Sequence, residues 1–178
     1  TPSDLPYDAN TNHLVTASAQ PGLSLWYRVN SGAWGGNPVP TAKDAGVYVV
    51  DVEVRGDGVN YGGTAAKQVT VTVSKKALTV TVDNKTATYG DAVPSLTRTY
   101  VGFAGSETEA TAGITGNAIS TTYVKGANAG SYPITLTAGT AKNYIVPGGS
   151  ATLTVNKKGL SGSDDAHLKA DAISWTYD

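Results

Sequence analysis

The stretch Asp44-Ala45-Gly46-Val47-Tyr48-Val49-Val50-Asp51-Val52-Glu53-Val54-Arg55 decides the fold. After Gly46, Tyr48, Val50, Val52 and Val54 fall on one face and Val49, Asp51, Glu53 and Arg55 on the other. That period of two is the pattern of a half-buried antiparallel strand. The next apolar run repeats the device, with Val69, Val71 and Val73 inward and Thr70 and Thr72 outward. The arrangement then returns as a whole. Asn128-Ala129-Gly130-Ser131-Tyr132 opens a strand in which Tyr132, Ile134 and Leu136 alternate with Pro133, Thr135 and Thr137. A later strand alternates Ala151, Leu153 and Val155 with Thr152 and Thr154. Pro133 has no N–H for a ladder, so its strand is expected at a sheet edge or bulged there.

The two copies keep their landmarks in order. Tyr48 and Tyr132 are 84 residues apart, the pairs Asn60-Tyr61 and Asn143-Tyr144 are 83 apart, and Lys75-Lys76 and Lys157-Lys158 are 82 apart. A single period with a drift of two residues is the mark of tandem modules that differ by short loop deletions, and such arrays serve reach and presentation. The repeat divides the chain into a first module over residues 1–75, with a truncated first strand, a second over 76–157, and a tail over 158–178 that reads as the opening of a third unit. The Lys-Lys-Ala link is short enough to make the pair a semi-rigid rod. The tail carries a strand-like run at residues 172–176, which an open sheet edge in another chain could accept.

Composition agrees with an all-β chain. Among 178 residues there are 21 Gly and 10 Tyr, with Thr, Val and Ala crowding the rest, a mixture that favours short strands and tight turns. Further strands are expected over residues 13–19, 24–30, 77–82, 96–103 and 118–124, and only residues 107–112 suggest a helical turn. Thirteen Lys and Arg balance 14 Asp and Glu, which leaves no basic stripe for nucleic acid. No apolar run reaches membrane-spanning length, and no charged-then-apolar leader opens the sequence, so neither direct membrane insertion nor an export signal is expected within it. The chain has no cysteine, which leaves the redox compartment open.

Asp-x-Gly-x-Tyr resembles the tyrosine corner of immunoglobulin-like domains, in which a Tyr at the start of the penultimate strand hydrogen-bonds back to nearby backbone. Tyr48 and Tyr132 would fill that structural role. Where antibody domains place a cysteine two residues later, this chain has Val50 and Ile134. A disulfide contributes about 2–5 kcal/mol to a small domain. Aliphatic packing at about 25 cal/mol per Å² can offset its absence. Gly46 and Gly130 permit the tight corner, with Asp44 and Asn128 accepting turn hydrogen bonds.

The second module opens with Thr86-Ala87-Thr88-Tyr89-Gly90-Asp91, carries Asn128-Ala129-Gly130-Ser131-Tyr132 at its centre and Asn143-Tyr144 before its closing Thr-Leu-Thr-Val strand. In these features it resembles the MBG family of bacterial surface repeats. The first, with Leu25-Trp26-Tyr27-Arg28-Val29-Asn30-Ser31-Gly32-Ala33-Trp34 and Pro40-Thr41-Ala42-Lys43-Asp44-Ala45-Gly46, resembles the Ig-like repeats that precede such modules. The resemblance implies an exported, surface- or wall-attached protein built as a stalk or adhesin repeat, and it brings no catalytic residues.

The residues themselves offer little chemistry. His13 and His167 are far apart in sequence, no cysteine is present, and no Gly-rich phosphate loop joins a strand to a helix, so no enzyme activity and no cofactor are expected. Glu107 and Glu109 sit in a Gly/Ser/Thr-rich loop and read as solvated charge. Asp164-Asp165 and Asp83-Asn84 supply too few oxygens for calcium by themselves, so no metal site is assigned. A Lys–Asn isopeptide cross-link needs a buried lysine, and the alternation places every lysine in a turn, a link or an outward position. Trp26 and Trp34 bracket a Ser-Gly turn and are the candidate ligand-binding residues, with aromatic faces that could stack on sugar rings. If Leu25, Tyr27 and Val29 point inward, Trp26 points outward; the competing reading packs both indoles into the core or between modules. The sequence therefore predicts two tandem immunoglobulin-like β-sandwich modules with antiparallel sheets, acting as a non-catalytic stalk beside neighbouring repeats. The alternative is an adhesive module that recognises a carbohydrate or a host surface protein.

Overall fold

The structure, a computed structural model, describes residues 4–160. The expectations for His167, Asp164-Asp165 and the strand-like run at 172–176 lie outside those residues. Within them all regular structure is β. The first half contributes β1 (Leu5–Pro6), β2 (Asn12–His13), β3 (Ser24–Val29), β4 (Thr41–Ala42), β5 (Gly46–Arg55) and β6 (Lys67–Ser74). The second contributes β7 (Lys76–Ala77), β8 (Thr79–Val82), β9 (Lys85–Thr88), β10 (Arg98–Val101), β11 (Ile119–Thr121), β12 (Gly130–Leu136), β13 (Gly139–Thr140), β14 (Tyr144–Val146) and β15 (Gly149–Asn156).

No sheet mixes the two halves. Residues 5–74 form a sheet ordered β1-β6-β5-β3 and the pair β2-β4. Leu14 and Ala42, beside and within that pair, share a buried cluster with Tyr27, Val50, Val71 and Val73 of the larger sheet, which makes a sandwich. Residues 76–156 form a sheet ordered β11-β12-β15-β9, faced by β10-β8 and by β13-β14-β7. The two units repeat each other in register. Gly46 pairs with Val73 and Tyr48 with Val71, just as Gly130 pairs with Val155 and Tyr132 with Leu153. Most pairings are antiparallel, but β1 runs parallel to β6, β9 to β15, and β7 to β14. Val50 and Ile134, at the positions of the antibody cysteines, are both 0% exposed, so packed aliphatic side chains take the place of the disulfide.

The structure differs from the sequence expectation at several elements, each for a local reason. Only the start of 13–19 pairs, as β2, because Thr16-Ala17-Ser18-Ala19 has no large apolar side chain to bury. The run 77–82 breaks at Leu78, whose side chain is buried while its N–H bonds to the Ile145 carbonyl at 3.1 Å; the chain there leaves β14 and joins β10. Residues 107–112, by contrast, hold the single expected turn, closed by the Ala112 N–H on the Thr108 carbonyl at 2.9 Å. Pro133 lies on an interior strand rather than an edge strand. It is tolerated because β11 pairs only with Ile134 to Leu136, so the strand is locally open where the N–H is missing.

Candidate functional site

Two regions of the described residues concentrate polar and aromatic side chains. The first is the outer face of the β3-β5-β6 sheet. Arg28, Asp51 and Gln68 stand side by side across three strands. The Arg28 Nε donates to Asp51 Oδ2 at 2.7 Å and the Gln68 Nε2 to Asp51 Oδ1 at 2.9 Å. These partners, Gln68 first and then Arg28, hold the Asp51 carboxyl below the usual carboxylate range. Asp51 is 4% exposed, the one buried charged side chain among the described residues, and it is tolerated there because both oxygens are bonded.

Leu25 and Val29 pack against the core and Tyr27 is buried, so Trp26 faces outward. Arg55 lies over the Trp26 ring at 3.8 Å and reaches Trp34 at 5.9 Å, while Arg28 lies over Trp34 at 4.9 Å. Glu53 Oε1 holds the Arg55 Nε at 2.6 Å. The structure thus brings Trp26 and Trp34 together on one face, half-buried, outside the apolar core and away from the junction between units. Each cation–π contact in such an exposed setting contributes about 0.5–1 kcal/mol.

The second region is the junction between the units, and most of its residues, among them Tyr7, Asp44, Glu107, Lys142 and Asn143, come from loops that the strand pattern does not read. A single residue, Lys75, separates β6 from β7, so the expected link is itself mostly strand. The Lys75 ammonium donates to the Ala141 carbonyl at 2.9 Å, and the Lys76 N–H to the Asn143 carbonyl at 2.9 Å. Above this hinge, Asn143 uses both ends of its amide. Its Oδ1 accepts the Ala45 N–H at 2.8 Å, and its Nδ2 donates to Asp44 Oδ1 at 3.0 Å. Lys142 donates to the other Asp44 oxygen at 2.6 Å. Lys142 and then Asn143 pull the Asp44 carboxyl below its ordinary value.

Aromatic contacts complete the junction. Tyr7, from the first unit, meets the Tyr144 ring edge-on at 5.4 Å, and Phe103 meets Tyr144 from another side at 5.5 Å. The Tyr7 hydroxyl donates to Glu107 Oε1 at 2.6 Å and the Tyr144 hydroxyl to Oε2 of the same carboxylate. The Ala104 N–H donates to the Tyr144 hydroxyl oxygen at 3.0 Å. Burial first, and the Glu107 bond second, push the Tyr7 phenol up to about 12. The bonds from Tyr144 and Tyr7 hold Glu107 below its ordinary value. Gly105, at φ 55°, brings its backbone against Ala9, whose Cβ lies 3.7 Å from where a Cβ on Gly105 would stand. Glu107, expected as a solvated charge, is instead the shared acceptor of two buried phenols.

The tyrosines of the repeat occupy matched places. The Tyr48 hydroxyl donates to the Asp44 carbonyl at 2.8 Å and the Tyr132 hydroxyl to the Asn128 carbonyl at 2.6 Å. Tyr48 packs on the cluster that extends into the junction, and Tyr132 on a separate cluster of Tyr123, Ile134, Leu153 and Val155. The remaining acidic and amide candidates have structural partners. Asp83 accepts from Thr97, Asn84 Oδ1 accepts the Thr152 N–H at 2.8 Å, and Glu109 binds Arg98 and Asn117. Sequence reasoning missed Glu107 and Lys142 at the junction. Asn143-Tyr144 did carry a signal, its recurrence with Asn60-Tyr61, whereas Glu107 had none.

Residues 78–154 match the family described as MBG domain (YGX type), and Tyr89-Gly90-Asp91 lies within the match. Modules of this kind are typical of bacterial surface proteins. No curated protein shows significant similarity to the chain. Among solved structures, the fibronectin(III)-like modules of Clostridium thermocellum CbhA align over 98% of this chain and 96% of theirs, at 13% identity and a TM-score of 0.27. So loose a superposition carries no weight, and the sandwich assignment rests on the strand pairing itself.

Proposed function

Residues 78–154 form an MBG domain, and from that premise we propose that the chain is a non-catalytic spacer of an exported bacterial surface protein, holding a distal binding region away from the cell. The observation that carries this reading is the junction. One connecting residue, the Tyr7–Glu107 phenol–carboxylate bond and the bonds of Asn143 to Asp44 and Ala45 tie one sandwich to the next, so end-to-end units keep a fixed geometry. A flexible linker would let the ends fold back, and a docked one converts added residues into added length. The test is a swap in the parent surface protein. Replacing residues 4–157 with an unrelated, equally long and rigid sandwich pair should preserve target binding at the surface, while deletion should reduce it. Binding lost on the swap would overturn the spacer reading.

The Trp26–Trp34 face supports a second reading, in which the first unit itself recognises a carbohydrate or host protein. Two indoles, two guanidiniums and the Glu53 carboxylate on one outer face are the groups that pack against a sugar ring and bond its hydroxyls. Arg55 lies closer over Trp26, at 3.8 Å, than Arg28 does over Trp34, at 4.9 Å, which favours Trp34 as the stacking platform. Tryptophan fluorescence that shifts with a polysaccharide, and stops shifting in Trp34→Ala, would support this reading; a blank glycan array would remove the carbohydrate form of it.

A further inference from the structure

The first unit's far end is covered by the second, and the second unit's far end repeats the same surface. Tyr7 follows β1 and Tyr89 follows β9, both strands running parallel to the last strand of their unit. The Tyr7 N–H bonds to the Ser74 carbonyl at 2.9 Å and the Tyr89 N–H to the Asn156 carbonyl at 2.8 Å. Asp44-Ala45 corresponds to Asn128-Ala129 through the shared register of Gly46 and Gly130, and Lys75 corresponds to Lys157. The backbone frames match, but their exposure does not. Tyr7 is 2% exposed and Tyr89 45%; Leu78, which starts the second unit's core, is 5% exposed, and its counterpart Leu160 is 88%. A cleft of about 420 Å³ lies at this end, lined by Tyr89, Asn128, Ala129 and Lys157 among others.

We propose that Tyr89, Asn128, Ala129 and Lys157 form a docking surface for a further β-sandwich of this kind, joined through Lys157 and seated by a segment equivalent to Lys142-Asn143-Tyr144. The proposal rests on the spacer reading and extends it: the junction becomes a repeating element. The chemistry required of the occupant is read from the occupied end. An amide oxygen accepts the Ala129 N–H as Asn143 accepts that of Ala45, an aromatic ring meets Tyr89 as Tyr144 meets Tyr7, and a carboxylate accepts the Tyr89 hydroxyl as Glu107 accepts that of Tyr7. The occupant's first strand continues from Lys158, as β7 begins at Lys76. Asn128 in place of Asp44 offers a neutral amide to the incoming lysine, so this second junction depends less on salt than the first.

The test inserts a copy of residues 76–157 between Lys157 and Lys158 of the full chain and follows Tyr7 and Tyr89 by NMR with 3-fluorotyrosine. The proposal predicts that Tyr89 becomes as protected from a soluble paramagnetic probe as Tyr7. Tyr89 remaining exposed beside a folded copy and a protected Tyr7 overturns the proposal and leaves the spacer reading standing. Tyr7 exposed in the unaltered chain defeats the spacer reading itself. A second variant needs no insertion: Asp44→Asn gives the first junction the side chain of the second. Tyr7 staying protected in that variant supports the proposal, and Tyr7 becoming exposed overturns it, because an asparagine corner would then fail to hold such a unit.

Discussion

Tyr7 and Tyr89 have the same backbone surroundings and opposite fates. Each follows a strand parallel to the last strand of its sandwich and bonds back to that strand's final carbonyl, yet one is buried and the other exposed. The difference lies in what arrives from outside: Glu107, Tyr144 and Phe103 stand over Tyr7, and no equivalent group stands over Tyr89 among the described residues. Burial in a tandem array is therefore a property of the neighbour as much as of the local sequence.

The comparison can be broken most sharply at Glu107. Removing its carboxylate leaves two buried phenols without an acceptor, and at about 1–3 kcal/mol for each stranded group the Glu107→Ala chain should lose roughly 2–6 kcal/mol. Urea unfolding measures the loss, and Tyr7 should then titrate lower than about 12, with its burial still holding it above the ordinary value of 10.0. Tyr89→Phe should change stability by a few tenths of a kcal/mol, as surface substitutions do. An equal loss at both sites would mean that the carboxylate is not what separates them.

Asn143→Ala comes next. It removes the bonds to Ala45 and Asp44 and should cost about 1–2 kcal/mol, read by the same urea transition. Tyr48→Phe and Tyr132→Phe each lose one bond to a backbone carbonyl, about 1 kcal/mol. The two should differ in reach. Tyr48 anchors the Asp44 corner on which the second unit sits, so its loss should raise hydrogen exchange at Ala45 and Asn143, while Tyr132→Phe should leave the junction unchanged. The smallest effect belongs to Lys142→Ala. The Lys142 and Asp44 side chains are 70% and 40% exposed, so this pair should matter little and vanish in high salt.

The junction also sets a pH window. Glu107 and Asp44 titrate below their ordinary values of 4.5 and 3.8, so the stability they contribute is present above those values and is lost as pH falls through the depressed ones. Tyr7 titrates above its ordinary value, so its contribution is complete below 10.0 and is lost as pH rises through about 12. Protection of the Tyr7 hydroxyl region should accordingly be flat between about pH 5 and pH 10 and fall on both sides. A steep change near neutrality would contradict that assignment.

Much of the framework is legible from residue order alone. The alternation after Gly46 and Gly130 predicts β5 and β12, the Thr-Val runs predict β6 and β15, and inward Leu25, Tyr27 and Val29 place Trp26 outside. Period two reads these strands because each has one buried and one open face. The junction is less legible because its partners are brought together from loops roughly a hundred residues apart: Tyr7 with Glu107, and Asp44 with Asn143. A glutamate in a Gly- and Thr-rich loop looks solvated until the other unit supplies the Tyr7 phenol and its own unit folds Tyr144 against it. Asp51 defeats the pattern differently, since the alternation gives its outward side correctly but not the roof of Arg28 and Gln68 that buries it.

The central claim is that the two sandwiches are held at one angle by the Tyr7–Glu107–Tyr144 and Asp44–Asn143 contacts. The chain has no native cysteine, so spin labels can be placed at Thr70→Cys on β6 and Thr135→Cys on β12, both exposed. Electron double resonance between them should give a single narrow distance distribution that broadens in Glu107→Ala. A broad distribution in the otherwise unaltered chain would contradict the account.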